Sequence, residues 1–101
     1  MHARTIAAKL VPGTADEALR VFRDEVMPIV REQPGYISSS LFLDRENNKA
    51  ITLSIWESED AEAATSTSSE YLKGVVAKMS SYLVNRGVDS WEVAVEDHQA
   101  H

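Results

Sequence analysis

The chain reads as an α+β domain, a four-stranded antiparallel sheet with helices on one face. Strict alternation over Ile51, Leu53 and Ile55 marks a strand. Ala18, Leu19, Phe22, Val26, Ile29 and Val30 recur at helical spacing. The elements follow the order strand, helix, strand, strand, helices, strand. Two right-handed crossovers, each leaving room for one strand between its ends, then give the sheet order 4-1-3-2. That is the ferredoxin-like βαββαβ arrangement.

Residues 4–11 form the expected first strand, with Ile6, Ala8 and Leu10 on one side, and Pro12 with Gly13 turns the chain. Thr14 and Glu17 have capping-box spacing, the hydroxyl reaching forward and the carboxylate back. Pro28 is expected to kink the helix that follows or loosen its last turn, and Pro34 with Gly35 ends it. Residues 36–44 are the second strand, 45–49 a polar hairpin loop and 50–57 the third strand. Ser58, followed by Glu59 and Asp60, is a helix N-cap. The hydroxyl run 65–69 is a poor helix interior, because short hydroxyl side chains compete for backbone hydrogen bonds. It is expected to separate two helical pieces. Leu72, Val75, Val76, Met79 and Leu83 carry the second, and Gly87 closes it. Residues 88–96 make the fourth strand, with Trp91, Val93 and Val95 alternating, and 97–101 a frayed polar tail.

At 101 residues this is a single domain. So short a chain buries about 60–70% of its unfolded surface, so a second subunit would add usefully to its stability. Ten basic residues against sixteen acidic ones give a net charge of −6, and Arg20, Arg23, Arg31, Arg45 and Arg86 lie scattered among acids. Nucleic acid and anionic membranes are therefore not expected partners. The apolar runs fall far short of the roughly 20 residues that span a bilayer. The first residues lack the apolar segment of a signal peptide, so a cytoplasmic protein is expected. With no cysteine there is no disulfide or thiolate chemistry. His2, His98 and His101 all lie in terminal segments, so no metal site is assigned.

Alternation splits the strand residues into two sets. One is almost wholly apolar: Ile6, Ala8, Leu10, Ile37, Ser39, Leu41, Leu43, Ile51, Leu53, Ile55, Trp91, Val93 and Val95. The other is rich in hydroxyls and aromatics: Thr5, Ala7, Lys9, Tyr36, Ser38, Ser40, Phe42, Thr52, Ser54, Trp56, Glu92 and Ala94. Either set satisfies the pattern as the face beneath the helices. Small hydroxyls beneath helices would leave a polar-lined cavity.

The stretch 50–64, containing Trp56-Glu-Ser-Glu59, and the stretch 33–44, containing Pro34-Gly-Tyr36, resemble the antibiotic biosynthesis monooxygenase family. The resemblance covers nearly the whole chain. It implies a dimeric α+β barrel whose subunits meet sheet to sheet, with a pocket between sheet and helices. Trp91, Val93 and Val95 are then expected at or near the dimer interface. The resemblance also implies a cofactor-independent monooxygenase acting on a small electron-rich aromatic, quinol or polyketide-like compound. In that chemistry the substrate anion reduces dioxygen itself, without metal or flavin.

Trp56 offers a flat apolar surface and one N–H donor for a planar ligand, and equally reads as a packing tryptophan. Thr52 matches the position where a polyketide-oxidising member has an asparagine. It offers a hydroxyl to a substrate oxygen, or is a plain β-branched strand residue. Glu70 is the candidate acid or base, or only complements a helix dipole. Ser38, Ser40, Phe42, Ser54 and Tyr71 complete the expected substrate-binding set. No histidine stands near the serines in sequence and there is no Gly-x-Ser-x-Gly elbow, which argues against a serine hydrolase. The groups used by haem-degrading relatives are absent from the matching positions, Ile6, Thr65 and a residue near Val75, which argues against haem degradation. The rival readings are a non-catalytic dimeric module for a small hydrophobe, with a binding or stress-related role, and an isomerase or cyclase using Glu70.

Overall fold

A computed structural model describes residues 1–65 and 70–97, for 70–72 the backbone only. The strands are β1 (His2–Leu10), β2 (Tyr36–Asp44), β3 (Lys49–Trp56) and β4 (Leu83–Glu92). The helices are α1 (Ala15–Val21), a π-helical stretch (Phe22–Val26), α2 (Met27–Arg31), α3 (Glu59–Ala63) and α4 (Glu70–Met79). The sheet order β2-β3-β1-β4 is the expected 4-1-3-2 read from the other edge, with every pairing antiparallel. The helices lie on one face. The core beneath them is Ala8, Leu10 and Ala50 of the sheet against Ala18, Val21, Val26, Met27, Val30, Met79 and Leu83.

Several local expectations are corrected. Thr14 does not form a capping box. Its Oγ1 reaches back and donates to the Val11 carbonyl at 2.6 Å, leaving the helix start without a side-chain cap. Glu17 instead accepts from Arg20. Pro28 is accommodated upstream, where the helix widens and the Met27 N–H donates to the carbonyl of Phe22, five residues back. A proline lacks the N–H that would meet Asp24, so the wider turn takes up the mismatch. Ser58 does cap α3, its Oγ accepting from the Ala61 N–H at 3.1 Å.

The second half shifts most. The last helix ends at Met79, and β4 begins at Leu83 rather than at residue 88. Gly87 is therefore a strand residue paired with Ala7, not a helix terminator. Tyr82 closes the turn by donating to Met79, and Leu83 pairs with Leu10, which extends the apolar ladder. Val93 and Val95 lie beyond β4, and the Val93 N–H donates to the Met1 carbonyl. Residues 66–69 and 98–101 lie outside the described residues, and with them most of the expected break and tail.

The two face sets also need regrouping. Cross-strand partners share a face. Pairing puts Ile6 with Thr52 and Val88, and Ser39 with Ser54. The helix-facing side is therefore Arg4, Ile6, Ala8 and Leu10 with Ala50, Thr52, Ser54 and Trp56, plus Ser39, Leu41 and Leu43. The outer side carries Thr5, Ala7, Ser38, Ser40 and Phe42 with Ile51, Leu53, Ile55 and Trp91. Each expected set thus contributes to both faces. β3 runs in opposite phase to β1 and β2, and a bulge between Tyr36 and Ser38 puts Tyr36 beside Trp56 on the inner side.

Candidate functional site

The inner face of the sheet is hydroxyl-rich where β2 and β3 run side by side, because Ser39 pairs with Ser54 and Thr52 lies one step along. Opposite stand Phe22, Val26 and Val30 of the first helical segment and Val75, Val76 and Met79 of α4. Between these walls lies a cavity of about 60 Å³, lined on the strand side by Arg4, Ile6, Ser39, Thr52, Leu53, Ser54, Leu83 and Arg86. By the same measure a water needs about 10–15 Å³, so the cavity holds a few small molecules or the edge of a ring. Beside it an open groove of about 530 Å³ runs between α4 and β4, with Lys73, Ala77, Ser80 and Val88 on its walls. Ile6, Val76 and Arg86 line both spaces. The groove is within the size range of small-molecule sites.

A buried polar cluster forms the end wall. Arg4 is 4% exposed and Glu62 5%. The Arg4 Nη2 donates to the Glu62 carbonyl at 2.5 Å and to Thr65 Oγ1 at 2.9 Å. Its Nε stands 3.6 Å from Glu62 Oε1, which also accepts from Ser90. Burying a charge without a partner costs several kcal/mol, so the carboxylate and the acceptors are what hold Arg4 in the interior. Beneath it lies Trp56, fully buried, with the Arg4 guanidinium carbon 5.7 Å from the ring centroid. The Trp56 N–H donates to Ser54 Oγ at 2.9 Å, and Tyr36 meets the ring edge-on. No buried side-chain nitrogen or oxygen among the described residues lacks a hydrogen-bond partner.

Of the residues the sequence singles out, Thr52 and Ser54 line the cavity. Trp56 does not. Its donor is already engaged, and its surface is covered by Arg4, Tyr36 and Ser54. It supports the wall from behind. Ser38, Ser40 and Phe42 lie on the outer face with Ile51, away from the cavity. Trp91 is also outside, 53% exposed, with its N–H donating to Thr5 Oγ1. Glu70 and Tyr71 open α4, but their side chains lie outside the described residues, as do His98 and His101. Arg4, Ser39, Glu62 and Arg86 are the site residues that sequence reasoning missed. Arg4 had a legible signal, since it stands in phase with Ile6, Ala8 and Leu10 on a face that is otherwise apolar.

Comparison with known proteins agrees with this architecture. A monooxygenase from the gene ActVA-Orf6 of Streptomyces coelicolor, crystallised with the ligand nanaomycin D, superposes with a TM-score of 0.79 at 16% identity. The match covers 98% of this chain and 92% of that one. SnoaB, a cofactor-independent oxygenase from Streptomyces nogalater, gives 0.72 at 17% identity, over 94% and 95% of the two chains. At such identities the likeness shows the fold alone. Two uncharacterized proteins of Mycobacterium tuberculosis are each 28% identical, over 103 and 102 residues. The match takes in 100% and 99% of this chain but 43% and 45% of theirs, so the chain spans less than half the length of these relatives. The family model for antibiotic biosynthesis monooxygenase matches residues 1–78, which takes in β1 to β3 and every described strand-side cavity residue but Leu83 and Arg86. The chain belongs to the antibiotic biosynthesis monooxygenase family.

Proposed function

We propose that this protein is a cofactor-independent monooxygenase that oxidises a small electron-rich aromatic, quinol or polyketide-like compound with dioxygen. The observation that carries the reading is the cavity itself, with apolar helix walls on one side and Ser39, Thr52, Ser54 and Arg4 on the other. A ring system fits edge-first from the groove, with its oxygen substituents toward the hydroxyls. An activated ring methylene loses its proton to solvent, and the resulting carbanion, delocalised as an enolate, passes one electron to dioxygen. The radical pair joins through a new C–O bond to give a peroxide anion. That anion picks up a proton and eliminates water, leaving a carbonyl. One dioxygen and two hydrogens of the substrate become one carbonyl oxygen and one water. The hydroxyls and the Arg4 guanidinium oppose the developing negative charge in a space too small for bulk water. Trp56 acts through Ser54 and Arg4 by holding both in place. Glu70 and Tyr71 remain proposed contributors from the start of α4.

The outer face supports a homodimer formed sheet to sheet. Phe42, Ile51 and Trp91 are all about half exposed there, a contiguous apolar surface that a lone sheet would leave in water.

Oxygen uptake with an anthrone as probe tests the oxygenase reading. Uptake above the spontaneous rate, matched by one anthraquinone per dioxygen, supports it. The second reading is a non-catalytic module that binds a small hydrophobe. It is favoured by the absence of any carboxylate, imidazole or phenol among the described lining residues of the cavity. Saturable binding of the anthrone without added oxygen uptake would support that reading instead.

A further inference from the structure

β4 carries an irregularity beside Arg86, one of the residues that the cavity and the groove share. Ala7 pairs with Gly87 and Lys9 with Val84, so Asn85 and Arg86 together stand opposite the single residue Ala8. Asn85 adopts the left-handed conformation at φ 55°, which a non-glycine residue takes up only where the local structure demands it. The bulge resets the phase of the strand at Asn85, and Arg86, two residues from the inward-facing Val88, lines both the cavity and the groove.

The charge of the lining points the same way. The chain has sixteen acidic residues and ten basic ones, yet the described residues lining the two spaces include Arg4, Lys73 and Arg86 and no carboxylate. Arg4 at the end wall already has Glu62. Arg86 is exposed and makes no ion pair with a described residue. Arg86 thus presents a cation at the opening, in a protein whose acidic surface repels anions elsewhere.

We propose that the site selects a monoanionic aromatic ligand, an apolar ring system bearing one carboxylate, and that Arg86 is the residue that recognises the anionic group. The ring enters between Val76 and Ile6, and the carboxylate stays at the junction against the guanidinium. Arg86 is a specificity-determining residue rather than a catalytic one. The proposal rests on the reading of the cavity and groove as a ligand site.

Naphthoate and its methyl ester, titrated by calorimetry against the whole chain, separate the two claims. Naphthoate is expected to bind about 5- to 30-fold more tightly than the ester at low salt, with the advantage shrinking as salt rises. Arg86→Gln is expected to abolish that preference while leaving the ester's affinity unchanged. Arg86→Lys should keep most of it, and Lys9→Gln, a cation removed from the outer face, should keep all of it. Equal affinity of the two probes for the wild-type protein would overturn the proposal and leave the ligand site standing. A preference that survives Arg86→Gln would likewise overturn the role of Arg86. Failure of both probes to bind would bring down the ligand-site reading and the proposal with it.

Discussion

Arg4 occupies a strand position that alternation reserves for an apolar side chain, and it is held there by a carboxylate, a carbonyl and a hydroxyl. Removing one member of such a pair leaves the other charge buried and unpaired. Arg4→Met is therefore expected to cost about 3–5 kcal/mol in urea unfolding, and a second change, Glu62→Met, to recover most of it. Simple addition of the two losses would show the groups to be uncoupled. Trp56 makes a different case. Trp56→Phe removes a donor from Ser54 and part of the surface under Arg4, for a loss of about 1–3 kcal/mol. Because the indole does not line the cavity, ligand affinity should stay within about twofold of wild type. A larger loss of affinity at unchanged stability would return Trp56 to direct contact with ligand. The sequence marked Trp56 through its neighbours in a recognisable stretch. It did not say whether the ring touches ligand or supports residues that do, because that depends on what packs above it.

At the scale of elements, strand alternation and the Ser58 cap were legible because each is written within a few neighbouring residues. Which residues share a face was not. A one-residue bulge reverses the phase of everything beyond it, and the bulges at Tyr36/Ser38 and in β4 leave no mark in composition. The start of β4 was missed for a related reason. Leu83 continues a helical apolar stripe, yet its place is fixed by pairing with Leu10 on a distant strand. The junction before β2 gives a sharper test. Gly35 has φ 79°, its carbonyl accepts from the Glu57 N–H, and an added Cβ would stand 2.5 Å from the Ala61 Cβ. Gly35→Ala should therefore cost about 2–4 kcal/mol, from backbone strain and overpacking together. Ala61→Gly should relieve part of it. Gly13 has a similar φ of 82° but open space around it, so Gly13→Ala should cost only about 1 kcal/mol. Equal losses at the two glycines in thermal or urea unfolding would count against the packing of Ala61 in α3 on the turn at Gly35.

For the whole molecule, the exposed apolar sheet face and the acidic surface act in opposite directions. A chain of net charge −6 stays dispersed, while Phe42, Ile51 and Trp91 favour association through one face. If the proposed sheet-to-sheet dimer forms, the wild type is expected to sediment as a dimer, and Phe42→Asp and Ile51→Asp, both outside the core, as folded monomers. A wild-type monomer at micromolar concentration would contradict the sheet-to-sheet assembly. Among the described residues no helix is long and apolar enough to cross a membrane.

In the proposed reaction the cavity carries a substrate anion through reaction with dioxygen. Turnover of an anthrone under isotopically heavy dioxygen, with the anthraquinone weighed by mass spectrometry, tests it most directly. One heavy oxygen is expected in the new carbonyl, formed faster than the spontaneous background and insensitive to chelators, with the rate reduced at least tenfold in Arg4→Met at a temperature where that variant is folded. Anthraquinone formed no faster than without protein, by a preparation that demonstrably binds the anthrone, would contradict it.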